Sequence, residues 1–159
     1  MLGQGRWLIL LSFLLALALS VWPLPEWAMP GRPEWLAMMV IFWVMILPHR
    51  VGIASAFVCG VLLDGLVGTV FGLHALALTL VAFLTYRLHT RIRVFPMAQQ
   101  MVAVLILVGI YQLICRLIQG AIEPVPITLV YWLPSLTSAI IWPWMYWFLN
   151  GLRLRYRAT

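Results

Sequence analysis

The feature that most constrains this chain is a succession of apolar runs, separated by short segments that hold most of its charges. Runs at residues 7–21, 35–47, 97–119 and 129–149 are predominantly apolar, and a longer one extends from 51 to 86. A helix needs about 20 apolar residues to cross the hydrocarbon core of a bilayer. Because hydrocarbon offers the backbone no hydrogen bonds, these runs are predicted to be helices.

The overall composition indicates the same lipid environment. Hydrophobic residues make up 65% of the 159 residues, and charged residues make up only 9%. A soluble domain has about 25% charged residues, so this chain cannot cover a water-facing surface with its own polar groups. One domain is expected at this length, and we predict a single all-α transmembrane domain over residues 1–159.

The run from 51 to 86 is too long for one ordinary span. Its 36 residues would extend about 54 Å as a helix, against a hydrocarbon core of about 30 Å. Gly68 and Gly72 lie near its middle and could support a tight turn. We therefore predict two helices here, at 51–67 and 73–86.

The placement of the arginines favours this division. With six helices and a cytoplasmic N-terminus, eight of the ten arginines lie on the cytoplasmic side, while Arg32 and Arg116 lie at or near the outer side. A single helix over 51–86 would leave three inside and seven outside. Cytoplasmic segments carry the excess of basic residues, so the pattern selects six helices with both termini in the cytoplasm. The eight are Arg6, Arg50, Arg87, Arg91, Arg93, Arg153, Arg155 and Arg157.

The predicted fold is therefore a bundle of six transmembrane helices. They lie at about 7–21, 35–47, 51–67, 73–86, 97–119 and 129–149. The basic segments would contact lipid headgroups or a cytoplasmic partner, and the residues do not separate these two interpretations. Nucleic-acid binding is not indicated, because the arginines flank apolar spans and form no basic stripe or recognition helix.

One acidic residue, Asp64, lies within a predicted span. A charge placed there costs about 2.5–3.5 kcal/mol, so Asp64 should face protein or trapped water. Gly60, Asp64 and Gly68 recur every four residues and share one helix face, and the pattern continues to Gly72. Small residues on one face allow a neighbouring helix to approach closely. Asp64 is therefore predicted to be enclosed by tight helix packing.

Two residues could satisfy the Asp64 carboxylate. Arg116 lies near the outer end of the fifth predicted helix, at a similar depth, and His74 begins the fourth. Asp64 would then act as a buried polar lock that fixes helix order, or as a proton or substrate site. Pro143, in the last helix, frees a backbone carbonyl and is assigned a packing role.

Motifs for catalysis or metal binding are not found in the sequence. It contains no carboxylate pair, HExxH, GxSxG or phosphate-binding loop. Cys59 and Cys115 lie inside apolar runs and are interpreted as small buried hydrophobes rather than a disulfide or metal site. We predict that the protein is not an enzyme and needs no cofactor.

Several short motifs, in this order and spacing, resemble the MreD family of bacterial rod shape-determining membrane proteins. The resemblance covers nearly the whole chain, and its most specific part is the glycine–aspartate pattern of the third span. The motifs are Gln4-Gly5-Arg6-Trp7, Arg32-Pro33-x-Trp35, Leu47-Pro48-His49-Arg50, Gly60-x-x-x-Asp64-x-x-x-Gly68-x-x-x-Gly72 and Trp142-Pro143-Trp144.

The resemblance implies a non-enzymatic role in the complex that builds the side wall of rod-shaped cells. It implies MreC as direct partner, with the glycosyltransferase RodA, its transpeptidase and the filament protein MreB in the same complex. It places the protein in the bacterial inner membrane. The family is also similar to the six-helix substrate-binding subunits of energy-coupling-factor transporters, which leaves a small-molecule-binding transporter subunit as the alternative function.

Overall fold

The computed structural model describes residues 2–68, 70–124, 126 and 128–155, and this part of the chain contains helices and no strand. Two short 3-10 turns, Met29–Gly31 and Leu129–Trp132, precede the second and sixth α-helices. The six α-helices are α1 (Leu2–Val21), α2 (Trp35–Ile46), α3 (Ile53–Val67), α4 (Leu73–Val94), α5 (Met97–Ile122) and α6 (Leu133–Arg155).

The centre of the bundle is α2. Every residue from 36 to 46 is buried, and α1, α4, α5 and α6 pack around the helix. A helix that is apolar on all sides can lie in a protein core or face lipid, and the contacts of α2 place it in the core. Its 12 residues extend only about 18 Å, so α2 is shorter than the ~30 Å thickness of a hydrocarbon core.

Contacts between helices show that successive helices run in opposite directions. Asp64, near the end of α3, contacts His74 at the start of α4. Gln112, towards the end of α5, contacts Tyr131 just before α6. Arg6 and Arg50 line one groove near the beginnings of α1 and α3, so these two helices are parallel.

This arrangement gives the bundle two chemically distinct ends. The basic end is where α1, α3 and α5 begin, and it holds Arg6, Arg50 and Arg93. The acidic end is where these helices finish, and it holds Glu34, Asp64 and Glu123.

The outer surface of the bundle is apolar over most of its length. Leu14 of α1, Ile106 of α5 and Trp147 of α6 are each more than half exposed, as are many of their neighbours. Soluble monomers rarely expose contiguous apolar surface on this scale. Among the described helices, Met97–Ile122 is the one both long enough and apolar enough to cross a membrane by length and composition.

The helices extend further at the basic end than the apolar runs do. The fourth helix was predicted to end at residue 86 but ends at Val94, and the sixth ends at Arg155 rather than 149. Arg91 and Arg93 occupy the last turn of α4, where cations interact favourably with the helix dipole. The apolar runs end where the first charged residues occur, but the helices continue for one or two further turns that contain those charges.

Three predicted starts also differ, and the smallest difference is in the third helix, which begins at Ile53 rather than residue 51. The first helix begins at Leu2 rather than residue 7, and the sixth begins at Leu133 rather than 129, because residues 129–132 form a 3-10 turn. Pro134 is the second residue of α6, where its missing N–H costs nothing. Pro143 lies inside α6, which continues across it. Arg157 lies outside the described residues.

Candidate functional site

The Asp64 carboxylate, fully buried, accepts hydrogen bonds from the first turn of α4. Its Oδ2 accepts from the backbone N–H of Gly72 at 2.9 Å and of Ala75 at 3.4 Å, and its Oδ1 accepts from that of His74 at 2.9 Å. The first N–H groups of a helix have no partner within the helix. A carboxylate there also interacts favourably with the helix dipole. Asp64 therefore caps α4 from the neighbouring helix.

His74 provides a further contact to the same carboxylate. Its Nδ1 lies 2.7 Å from Asp64 Oδ1, and the imidazole is largely buried, with 16% of the side chain exposed. The His74 ring also lies beside the buried ring of Tyr111 on α5, with centroids 6.2 Å apart. Of the two partners considered from the sequence, His74 is the one that the structure places against Asp64.

Arg116, the other candidate, contacts a different group. Its guanidinium carbon lies 4.7 Å above the centre of the Tyr131 ring, a cation–π arrangement. Tyr131 is tied to α5 twice, since its hydroxyl donates to the Gln112 carbonyl at 2.8 Å and its own carbonyl accepts from Gln112 Nε2 at 3.0 Å. Arg116 therefore lies against the connection between α5 and α6, and among the described ion pairs it has none with Asp64.

Gly60 is where α3 and α4 approach most closely. A Cβ at this position would lie 2.3 Å from Ala75 Cα and 2.6 Å from Ala75 N. Real Cβ atoms do not approach backbone this closely, so a side chain at residue 60 would separate the helices. The close approach brings the first turn of α4 within reach of Asp64, one helical turn further along α3.

Gly68 and Gly72 shape the connection between the two helices. Both have positive φ, 78° at Gly68 and 97° at Gly72, a conformation that glycine adopts without steric cost. Gly68 ends α3, with its N–H donating to the Asp64 carbonyl at 3.0 Å, and Gly72 precedes α4. The four residues of the sequence pattern thus act together: Gly60 permits contact, Asp64 caps, and Gly68 and Gly72 turn the chain.

Glu34 and Arg32 form a second polar group at the acidic end. The Glu34 backbone N–H donates to Ser138 Oγ at 3.0 Å, which joins the start of α2 to α6. Arg32 donates to the carbonyls of Ser20 and Trp22 at the end of α1. Burial raises the pKa of the Glu34 carboxyl to about 7, and the nearby charge of Arg32 acts in the opposite direction.

Two tryptophans make buried polar contacts that sequence reasoning missed. Trp43 Nε1, at the centre of α2, donates to Ser12 Oγ on α1 at 2.8 Å. Trp142 Nε1, on α6, donates to Gln100 Oε1 on α5 at 3.3 Å. Both indoles are fully buried, and a buried Trp N–H needs an acceptor. The position of Trp43 deep within an apolar span was the one feature of the sequence that could have indicated a buried hydrogen bond there.

The predicted basic residues gather at one end without forming a single contact cluster. Arg50 and Arg93 line one small cavity, and Arg87 lies 5.9 Å from the ring centre of Phe83. Arg91, Arg153 and Arg155 lie in the last turns of their helices. Their shared feature is position at the basic end rather than a common ligand.

Comparison with known proteins identifies the family. The profile described as "rod shape-determining protein MreD" matches residues 1–152. The chain belongs to the MreD family. The rod shape-determining protein MreD of Haemophilus influenzae is 26% identical to it over 152 residues, covering 93% of this chain and 92% of that protein. No solved structure matches. The protein is therefore a member of a membrane protein family that determines rod shape. This family is not a known enzyme family.

Proposed function

We propose that this protein is a non-enzymatic scaffold of the bacterial cell-wall elongation complex, which it joins by binding MreC in the inner membrane. Through MreC it would be connected to RodA, the paired transpeptidase and MreB. The observation that carries the proposal is the match to the MreD family over residues 1–152. The contacts of Asp64 support a structural role, because its carboxylate accepts hydrogen bonds from the start of α4.

We further propose that all six helices cross the membrane, with both termini in the cytoplasm. Seven arginines of the described residues lie at the basic end, against Arg32 and Arg116 towards the other. Basic residues are retained on the cytoplasmic side. The short α2 is compatible with this arrangement, because its neighbours shield it from lipid along its length.

Reporter fusions should place both termini in the cytoplasm. Green fluorescent protein after residue 159 is expected to fluoresce, and alkaline phosphatase at the same point is expected to be inactive, because only the periplasm oxidises its disulfides. Alkaline phosphatase inserted in the 22–34 segment should be active. Phosphatase activity at the C-terminus would contradict the proposed topology.

The structure limits which surfaces are available to MreC. Residues 36–46 of α2 are enclosed, so α2 cannot contact a partner without opening the bundle. Apolar side chains on the outer helices, such as Leu66 of α3, Val102 of α5 and Trp147 of α6, are each more than half exposed. A single-span partner would pack its helix against one of these faces through close van der Waals contact.

Photo-crosslinking in intact cells should locate that face. A photoreactive residue replacing Leu66, Val102 or Trp147 in turn is expected to yield an MreC adduct at one helix face and not at all three. The matched control is Ile41, which is fully buried in α2 and should yield none. If none of a full set of outward positions captures MreC while the cells remain rod-shaped, direct binding of MreC is wrong.

A further inference from the structure

An apolar groove runs between the parallel helices α1 and α3 on the outer surface. It has a volume of about 740 Å³ and opens to the surroundings along its side. Its floor is formed by buried apolar side chains, Ile9, Phe13 and Leu17 of α1 with Cys59 of α3. Leu14 and Val58 form its rims and are each more than half exposed. The groove is therefore shaped for an apolar chain lying along the helices.

The end of the groove is cationic. Arg6, His49 and Arg50 line it there, and all three side chains are exposed. A second cavity of about 330 Å³ adjoins the same turn, where His49 and Arg50 are joined by His89 and Arg93.

Within the part of residues 2–155 that the structure describes, no acidic side chain lies beside these cations. The chain has four acidic residues, and Glu26, Glu34, Asp64 and Glu123 all lie towards the opposite end of the bundle. The charge at the mouth of the groove is therefore complementary to an anionic group.

The length of the groove, together with its charge, favours a lipid over a partner helix. Its α1 side runs from Arg6 to Leu17, which is about 16 Å at ~1.5 Å per residue. That is close to half of a hydrocarbon core of about 30 Å, the depth of one leaflet. A single lipid tail occupies one leaflet, so the groove matches an anionic lipid in length as well as in charge.

We propose that the groove binds one anionic glycerophospholipid, with its phosphate at Arg6 and Arg50 and an acyl chain between α1 and α3. The arginines supply charge-assisted hydrogen bonds to phosphate oxygens. The acyl chain would cover the apolar side chains that line the groove between α1 and α3. This site is independent of MreC binding, so the two proposals can fail separately.

Native mass spectrometry of the detergent-purified chain tests the charge requirement. Titration with phosphatidylglycerol should give one tightly bound lipid, and phosphatidylcholine should bind more weakly. The double variant R6Q/R50Q should bind phosphatidylglycerol about 25-fold more weakly, about fivefold for each arginine, with little change for phosphatidylcholine. The control is R91Q, which removes an exposed arginine from the same end outside the groove and should bind as the wild type does. Equal binding of the two lipids by the wild type would overturn the proposal.

A bulky side chain in the groove tests whether the lipid binds there. Val58→Trp should abolish the bound lipid, whereas Val102→Trp should not, because Val102 is equally exposed, 55% against 56%, but lies on α5. Thermal unfolding will show whether Val58→Trp is folded. If it is not, the lipid binding of R6Q/R50Q remains as the test of the proposal. A photoreactive residue at position 58 should capture phospholipid in membranes. Capture of a protein there, or lipid retained by folded Val58→Trp, would show that the groove is not a lipid site.

Discussion

Replacement of Gly60 by alanine is expected to destabilise the protein by about 3 kcal/mol or more, the upper part of the range for overpacked cores. The new Cβ would lie 2.3 Å from Ala75 Cα and 2.9 Å from the His74 carbonyl carbon. Its three nearest neighbours are backbone atoms, so rotation of a side chain cannot relieve these contacts. Either α3 and α4 separate, which moves the first turn of α4 away from Asp64, or the backbone deforms.

The measurement is the thermal unfolding midpoint of the detergent-purified protein, with unfolding monitored by tryptophan fluorescence. A loss of this size corresponds to a midpoint lower by about 6–12 °C. The control is Gly65→Ala in the same helix, where a Cβ meets no atom within 4 Å. It should be neutral or stabilising by up to ~1 kcal/mol, because alanine favours helix over glycine.

Removing the Ala75 side chain should not rescue Gly60→Ala, because the clash is with Ala75 backbone. Equal midpoints for Gly60→Ala and Gly65→Ala would show that the helices do not pack as described.

Much of the helical organisation could be predicted from the sequence. Apolar runs locate the helices because each must satisfy its backbone internally, and Gly68 and Gly72 mark the connection between α3 and α4. Arginine placement predicts which helix ends share a side, and Arg6, Arg50 and Arg93 do gather at one end. These features depend on local composition and on position along the membrane normal.

The arrangement around that axis could not be predicted in the same way. Depth in the membrane placed both Arg116 and His74 near Asp64, but which one contacts it depends on how α3, α4 and α5 are rotated. The central position of α2 could not be predicted from the sequence either, because an apolar helix facing lipid has the same composition as one facing protein. Buried polar pairs such as Trp43 with Ser12 become visible only once neighbouring helices are known.

Replacement of Asp64 by alanine is expected to cost about 3 kcal/mol or more, because it leaves several buried hydrogen-bond donors without an acceptor, at about 1–3 kcal/mol for each. The N–H groups of Gly72 and His74 and the His74 imidazole all lose the carboxylate. The first turn of α4 would fray and its contact with α3 would weaken. We expect less folded protein, a lower unfolding midpoint and less co-purified MreC.

Two further variants distinguish a helix cap from an ion pair and from a proton site. His74→Ala removes the imidazole but keeps the three backbone hydrogen bonds to Asp64, so it should cost about 1.5–3 kcal/mol, less than Asp64→Ala. A loss as large as that of Asp64→Ala would show that the ion pair dominates. Asp64→Asn keeps the shape but replaces an accepting oxygen with a donor, so its stability should lie between those of the wild type and Asp64→Ala. Wild-type stability of Asp64→Asn with loss of rod shape would instead assign the carboxylate a charge or proton function, because the fold would then not depend on its capping of α4.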